Sequence, residues 1–219
     1  MSTSPLLRLE KAAKFYGAKL VFRDVTCAVE PGQVMLVAGP NGAGKTTLLK
    51  VMAGLSRPSA GTVRLDVPPE RTAYLGHATF LYPGLTALQN LGFWARMYGL
   101  RRSRKQLMEM LERVGLVRVA EERAGSFSRG MSQRLNLARV FLVDPALLFL
   151  DEPGTGLDVT SLALLRREIG RLAEAGTSIV WISHQVREDR ELAHTVLALS
   201  GARMRYCGPA AEYEPEAVC

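Results

Sequence analysis

Gly39-Pro40-Asn41-Gly42-Ala43-Gly44-Lys45-Thr46 is the densest chemical pattern in the chain, and Thr47 follows it. The run matches GxxxxGK[ST] at every fixed position. Its glycines let successive backbone amides turn inward and form an anion-binding nest. Lys45 supplies a positive charge to the β and γ phosphates of a nucleotide. Thr46 can offer its hydroxyl to Mg²⁺, and a helix opening at Lys45 adds the partial positive charge of its N-terminus.

A second run, Leu147-Leu148-Phe149-Leu150-Asp151-Glu152-Pro153, sends an apolar segment into two carboxylates. Taken alone, Asp-Glu-Pro after a strand is a solvated turn or a helix cap. Paired with the phosphate loop, Asp151 becomes a candidate to hold Mg²⁺, mostly through water. Glu152 becomes a candidate to orient or deprotonate an attacking water.

These groups need rigid elements to hold them. The apolar run VMLVA before Gly39 fits a strand buried on both faces, and the sequence predicts it at 33–38. A helix is predicted at 45–53, with Gly54 as its stop. Strands are predicted at 6–14 and 21–29 ahead of the loop, and at 62–66 and 71–75 after it. The middle changes character: helical spacing covers 87–98, 102–114 and 132–143, with Gly99 and Gly115 as punctuation. Alternation then resumes, with strands at 146–150, 178–182, 195–199 and 203–207 and a helix around 159–175. Such alternation predicts an α/β fold on a mainly parallel sheet, with the helical middle inserted into it.

Composition excludes several classes. The 219 residues suit one compact domain with room for a subdomain, and 47% hydrophobic content with 22% charged content is that of a globular chain. No apolar run approaches the roughly 18 to 20 residues of a membrane helix. The start of the chain does not read as a signal peptide. Cys27, Cys207 and Cys219 form neither a disulfide framework nor a CxxC pattern, which favours a reducing compartment with idle thiols.

Together with three further segments, the two motifs resemble the ATP-binding subunits of ABC transporters, over essentially the whole chain. Phe127-Ser128-Arg129-Gly130-Met131, followed by Ser132-Gln133-Arg134, stands where that family carries its LSGGQ signature. Gly156-Leu157-Asp158 looks like the D-loop. Ser183-His184, after a strand, looks like the switch histidine. Tyr16 is similar to the aromatic that stacks on adenine, though a surface aromatic is nearly as good a reading of it without the resemblance. The resemblance implies a P-loop NTPase with a RecA-like parallel core, an antiparallel β subdomain and an inserted helical subdomain. It divides a single domain, 1–219, into a core at 1–76 and 141–219 and a helical part at 77–140.

The resemblance also implies roles. Ser128, Arg129 and the Gly130 amide would bind the γ phosphate of ATP held by an opposing copy, so that a head-to-tail homodimer closes over two ATP molecules. His184 would touch the γ phosphate and hold the catalytic geometry with Glu152, while Asp158 would bridge the two sites. Two departures stand out. His77, in Tyr74-Leu75-Gly76-His77, replaces the family's usual glutamine beside Mg²⁺ or the attacking water; a neutral imidazole can also accept a hydrogen bond but titrates differently. Arg129 and Met131 replace a glycine and a glutamine of the signature.

The segment from Phe80 to Leu91 resembles the LTxxENL run that opens the helical subdomain. Together with the Leu-Gly-His form and the small size, it looks most like the heme exporter ATPases of bacterial cytochrome c maturation. Drug, lipid or polysaccharide exporter ATPases are the close competitors. Integral membrane transporter subunits would be the partners, at the cytoplasmic face of the inner membrane. The apolar stretch 80–85 would lie in or near the groove for a cytoplasmic helix of the partner, or be a simple packed loop.

The charge pattern bears on the competing classes. The formal charge is +7, and the stretch 95–140 holds 11 basic and 4 acidic residues, so it carries the entire surplus. A basic block can contact nucleic acid. However, ABC ATPases of that kind carry two cassettes or long coiled coils, absent from this sequence, so no nucleic acid is expected. No Asn-Lys-x-Asp motif supports a GTPase, and a kinase would not need Ser128–Met131 or His184. Arg129 is expected near ATP phosphates. Arg101-Arg102 and Arg104-Lys105 are expected to form a solvated face.

Overall fold

The structure, a computed structural model, describes residues 4–76 and 78–215. Nine strands form one sheet in the order β4-β1-β2-β9-β8-β3-β7-β6-β5. At one end β1 (Leu7–Tyr16) pairs antiparallel with β2 (Lys19–Val29) and with β4 (Ala60–Leu65). At the other end β3 (Val34–Ala38), β5 (Thr72–Leu75), β6 (Leu147–Asp151), β7 (Ser178–Ile182) and β8 (Thr195–Ser200) run parallel. The strand β9 (Arg203–Pro209) turns back antiparallel on β8 and joins the two parts through a single bridge, Arg23 to Arg203.

The central strands β3, β6 and β7 are buried at every residue, as their near-continuous apolar runs require, with Ser178 and Asp151 as the polar members. Their side chains alternate between two cores. Met35, Val37, Leu147, Phe149, Val180 and Ile182 face a core closed by helix α1 (Lys45–Met52) and the β1–β2 hairpin. Val34, Leu36, Leu148, Leu150, Ile179 and Trp181 face the other core. That second core also takes Leu165, Ile169 and Leu172 of α5 (Val159–Glu174), and the buried faces of α2 (Ala87–Met97), α3 (Arg104–Arg113) and α4 (Arg129–Phe141). The helical middle therefore shares one continuous core with the sheet.

Helix starts follow their caps. Thr86 with Gln89, and Ser103 with Gln106, form capping boxes that open α2 and α3. The sequence places α4 at 132–143, but it begins three residues earlier, at Arg129. Ser128 is its N-cap, its Oγ accepting from the Met131 amide at 3.2 Å, and Gly130 is tolerated inside the first turn. The start of α3 also moves, from 102 to Arg104, because Ser103 takes the cap position. No described helix is long and apolar enough to cross a membrane.

Candidate functional site

The phosphate loop leaves the buried strand β3 and enters α1. Glycine is required at two positions. A Cβ at Gly39 (φ 139°) would lie 2.2 Å from the carbonyl oxygen of Leu199 in the neighbouring strand β8. Gly44 is left-handed (φ 95°) and stands at the N-cap of α1, where no side chain bonds the first amides. Those amides, flanked by Asn41, Gly42, Ala43, Thr46 and Thr47, make a concave anion receptor. Pro40 accepts from the Ala43 amide at 3.2 Å and tightens the turn.

The Lys45 ammonium bends over this loop, donating to the carbonyls of Gly39 at 2.8 Å and Pro40 at 3.0 Å. It is buried. Burial pushes its pKa below the usual lysine value, and the charges of Glu152 and Asp151 oppose that shift.

The carboxylates come from the adjoining strand ends. Asp151 is the last residue of β6 and stands opposite Ile182, the last of β7, so Glu152 and Ser183-His184 leave neighbouring strands together. The Thr46 hydroxyl donates to Asp151 Oδ1 at 2.9 Å. Two hard oxygen donors thus meet between the loop and the strand end, which suits Mg²⁺. Among the described residues no cluster of three or more His, Cys, Asp or Glu could hold a metal by itself. A cation here would share phosphate oxygens and water, as Mg²⁺ does at nucleotide sites.

Glu152 adopts a left-handed backbone (φ 53°), strained for a residue with a Cβ by about 1–2 kcal/mol. Its amide donates to the Ile182 carbonyl at 3.1 Å, and its Oε2 lies 2.8 Å from His184 Nε2. The side chain of Glu152 is largely shielded at 16% exposure, while that of His184 remains 46% exposed.

A second group forms around the start of α4. Arg129 lies across Gly156: a Cβ there (φ 74°) would fall 2.8 Å from Arg129 Cζ. The guanidinium thus lies against Gly156. Gly130 faces Ser161, whose Oγ would lie 3.6 Å from a Cβ at that glycine. Asp158 is the N-cap of α5, its Oδ1 accepting from the Ser161 amide at 2.7 Å; this bond holds its carboxyl below the usual range. Gln133 Nε2 donates to the Pro153 carbonyl at 3.2 Å, linking this group to the Asp151-Glu152 turn.

Tyr16 ends β1 and is 55% exposed, with the Lys14 ammonium 5.2 Å from its ring centre. His77 lies outside the described residues.

Sequence reasoning missed Tyr74. Its hydroxyl donates to Asp151 Oδ2 at 2.8 Å from the adjacent strand β5. Burial, with the charge of Asp151 and this bond, pushes the phenol well above its ordinary pKa, so it stays a donor. The alternation Ala73-Tyr74-Leu75 was a usable signal, because it turns Tyr74 away from the face that buries Ala73 and Leu75. The adjacency of β5 and β6 was not available, since the whole helical middle separates them in sequence.

Comparison with known proteins shows the family. The family described as ABC transporter matches residues 22–155. The chain is 34% identical over 198 residues to the ABC transporter ATP-binding protein NatA of Bacillus subtilis (strain 168), covering 85% of this chain and 80% of that one. It is 35% identical over 188 residues to the cytochrome c biogenesis ATP-binding export protein CcmA of Histophilus somni (strain 129Pt), covering 82% and 87% respectively. Among solved structures, an ATP-binding subunit of an ABC transporter superposes with a TM-score of 0.84 at 27% identity, covering 93% of this chain and 90% of the other.

Proposed function

The chain belongs to the ABC transporter family as an ATP-hydrolysing subunit, and we propose that two copies close head to tail over two ATP molecules to drive membrane subunits. The observation that carries this reading is the Glu152–His184 contact at 2.8 Å, beside Lys45 and the Thr46–Asp151 pair. Lys45 and the α1 amides hold the β and γ phosphates. Thr46 and Asp151 would hold Mg²⁺, which on binding offsets phosphate charge. Glu152 orients the attacking water and accepts its proton, and His184 keeps the carboxylate aimed while contacting the γ phosphate. Tyr16 stacks on the adenine. By the resemblance, His77 would take the part of the family's usual glutamine.

Ser128, Arg129 and the Gly130 amide receive the γ phosphate of the second copy's ATP, and Asp158 bridges the two sites. In the single chain the Arg129 guanidinium lies against Gly156. The helical part at 77–140 presents Phe80, Tyr82 and Met97 at 61%, 45% and 63% exposure to a cytoplasmic helix of integral membrane subunits. The protein is then peripheral, at the cytoplasmic face of the inner membrane.

Within the family, the reading favoured is the heme export step of bacterial cytochrome c maturation. It is supported by the Leu75-Gly76-His77 segment and by length, since this chain covers 87% and 88% of two CcmA proteins. A different exporter is the second reading, supported by the 34% identity to NatA, which falls between the 32% and 35% of the two CcmA proteins.

Glu152→Gln tests the mechanism. Turnover should fall at least about 100-fold, and an ATP-bound dimer should accumulate in light scattering. Normal hydrolysis by a monomeric variant would overturn the assignment of Glu152. Purification from native membranes tests the partner: recovery of ribosomes or DNA in place of integral membrane proteins would overturn the transporter reading.

A further inference from the structure

Both residues that flank His184 are tied to one buried carboxylate. Asp189, at the end of the short helix α6 (Val186–Asp189), is 1% exposed. Its Oδ2 accepts a short hydrogen bond from the Ser183 hydroxyl, and its Oδ1 accepts from Arg166 Nε at 2.6 Å. Arg166 also donates through Nη2 to Gln185 Oε1 at 2.8 Å. The ring closes locally: the Gln185 amide donates to Ser183 Oγ at 3.0 Å, and the Asp189 amide donates to the Gln185 carbonyl at 2.9 Å.

His184 lies between these two anchored residues. Its imidazole is half exposed, and an exposed side chain on a free loop would sample several rotamers and lose its contact with Glu152. A buried ion pair is a poor way to gain stability, because desolvation consumes most of its Coulomb energy. It is a good way to fix one geometry, since Asp189 can satisfy both oxygens only when Ser183 and Arg166 stand where they do. Arg166 projects from α5, the helix capped by Asp158, so the turn holding His184 is referenced to a rigid core element.

We propose that Asp189 and Arg166 are positioning residues for ATP hydrolysis, fixing the 183–185 turn so that His184 meets Glu152. The proposal rests on the reading of His184 given above and names residues that act only through it.

Asp189→Asn is the direct test, in the full chain with Mg²⁺-ATP. The carboxamide can no longer accept from both Ser183 and Arg166 as an anion. Expected are a fall in kcat of about 10-fold, with KM for ATP within about 2-fold of wild type. In a His184→Ala background the same substitution should cost less than about 2-fold, because residues that act as one unit are not additive. The chain has three histidines, so imidazole NMR signals are few; His184 is assigned by the signal lost in His184→Ala. Asp189→Asn should move the His184 signal and leave that of His194 in place.

An unmoved His184 signal, or an equal fold-loss in both backgrounds, would overturn the proposal. Should Asp189→Asn fail to fold, Ser183→Ala carries the same measurements, because it keeps the Arg166–Asp189 pair. Wild-type turnover by His184→Ala would instead refute the role given to His184, and the NMR arm would still decide whether Asp189 positions it.

Discussion

The phosphate-loop region and the helical middle both place charged side chains in shielded settings, and they use them in opposite ways. At the phosphate loop, Lys45, Asp151 and Glu152 converge from separate elements, and the backbone is left-handed at Gly44 and Glu152 to let them do so. Burial there works against the charged form of Lys45. In the helical middle, cations serve the architecture. Arg139 is buried, donates to Asn136 Oδ1 and the Tyr98 hydroxyl, and lies 5.1 Å from the Trp94 ring and 5.7 Å from that of Phe80. Arg102 donates to the Leu142 carbonyl, Arg134 to that of Val114, and Arg113 pairs with buried Glu168 of α5. The difference shows that a local basic surplus does not by itself mark a binding surface. Of the expected solvated cluster, Arg102 is tied to a carbonyl and Arg104 to Glu121, while Arg101 and Lys105 are exposed and make no side-chain hydrogen bond or ion pair among the described residues.

Substitutions can break this contrast, and the largest effect falls on function. Lys45→Ala should weaken ATP binding by about 10- to 150-fold, the loss of charge-assisted hydrogen bonds worth about 1.5–3 kcal/mol. It should leave the unfolding midpoint unchanged or slightly higher, because it removes a cation that burial disfavours. Calorimetric titration and a thermal melt on the same sample check both halves. A large stability loss without a binding loss would mean that Lys45 is structural, and the contrast would fail.

Arg113→Ala should do the reverse. Glu168 is 3% exposed, and Arg113 at 3.0 Å is its nearest cation, with Arg167 and Arg171 at 3.7 and 3.9 Å. Removing the nearest partner of a buried carboxylate costs about 3 kcal/mol, read as a shift in denaturant midpoint, while ATP affinity stays put. Asn90→Ala should follow at about 2 kcal/mol. Its buried amide accepts from the Tyr82 amide and donates to the carbonyls of Tyr82, Leu85 and Thr86, so truncation leaves several loop groups short of a partner. The loss should appear first as faster amide exchange at 82–86.

The same contrast explains what could be read without coordinates. Chemistry that is local in sequence was legible: the phosphate loop, the strand β6 that ends in Asp151, and the largely apolar runs that become β3 and β7. Ser183-His184 was read through the family resemblance, as the pair that follows such a strand; the strand alone does not single it out. Contacts that depend on strand order or helix packing were not. Tyr74 and Asp151 are 77 residues apart, and Arg113 and Glu168 are 55 apart. Nothing in the composition of 95–140 says that its arginines turn inward onto carbonyls and rings. The start of α4 was misplaced for a different reason: Gly130 reads as a breaker, whereas the Ser128 cap overrides its propensity.

The smallest predicted effect is the sharpest control on this view. Arg104 and Glu121 also form an ion pair between separate segments of the helical middle, yet their side chains are 69% and 62% exposed. Water screens such a pair, and ordering two long side chains offsets most of what remains. Arg104→Ala should therefore cost less than about 1 kcal/mol, and that cost should shrink further as salt is raised. Arg113→Ala removes a cation of the same type from the same helix, so the difference between the two midpoints isolates burial as the variable. Equal losses would mean that charge, and not desolvated geometry, holds the helical middle to the sheet.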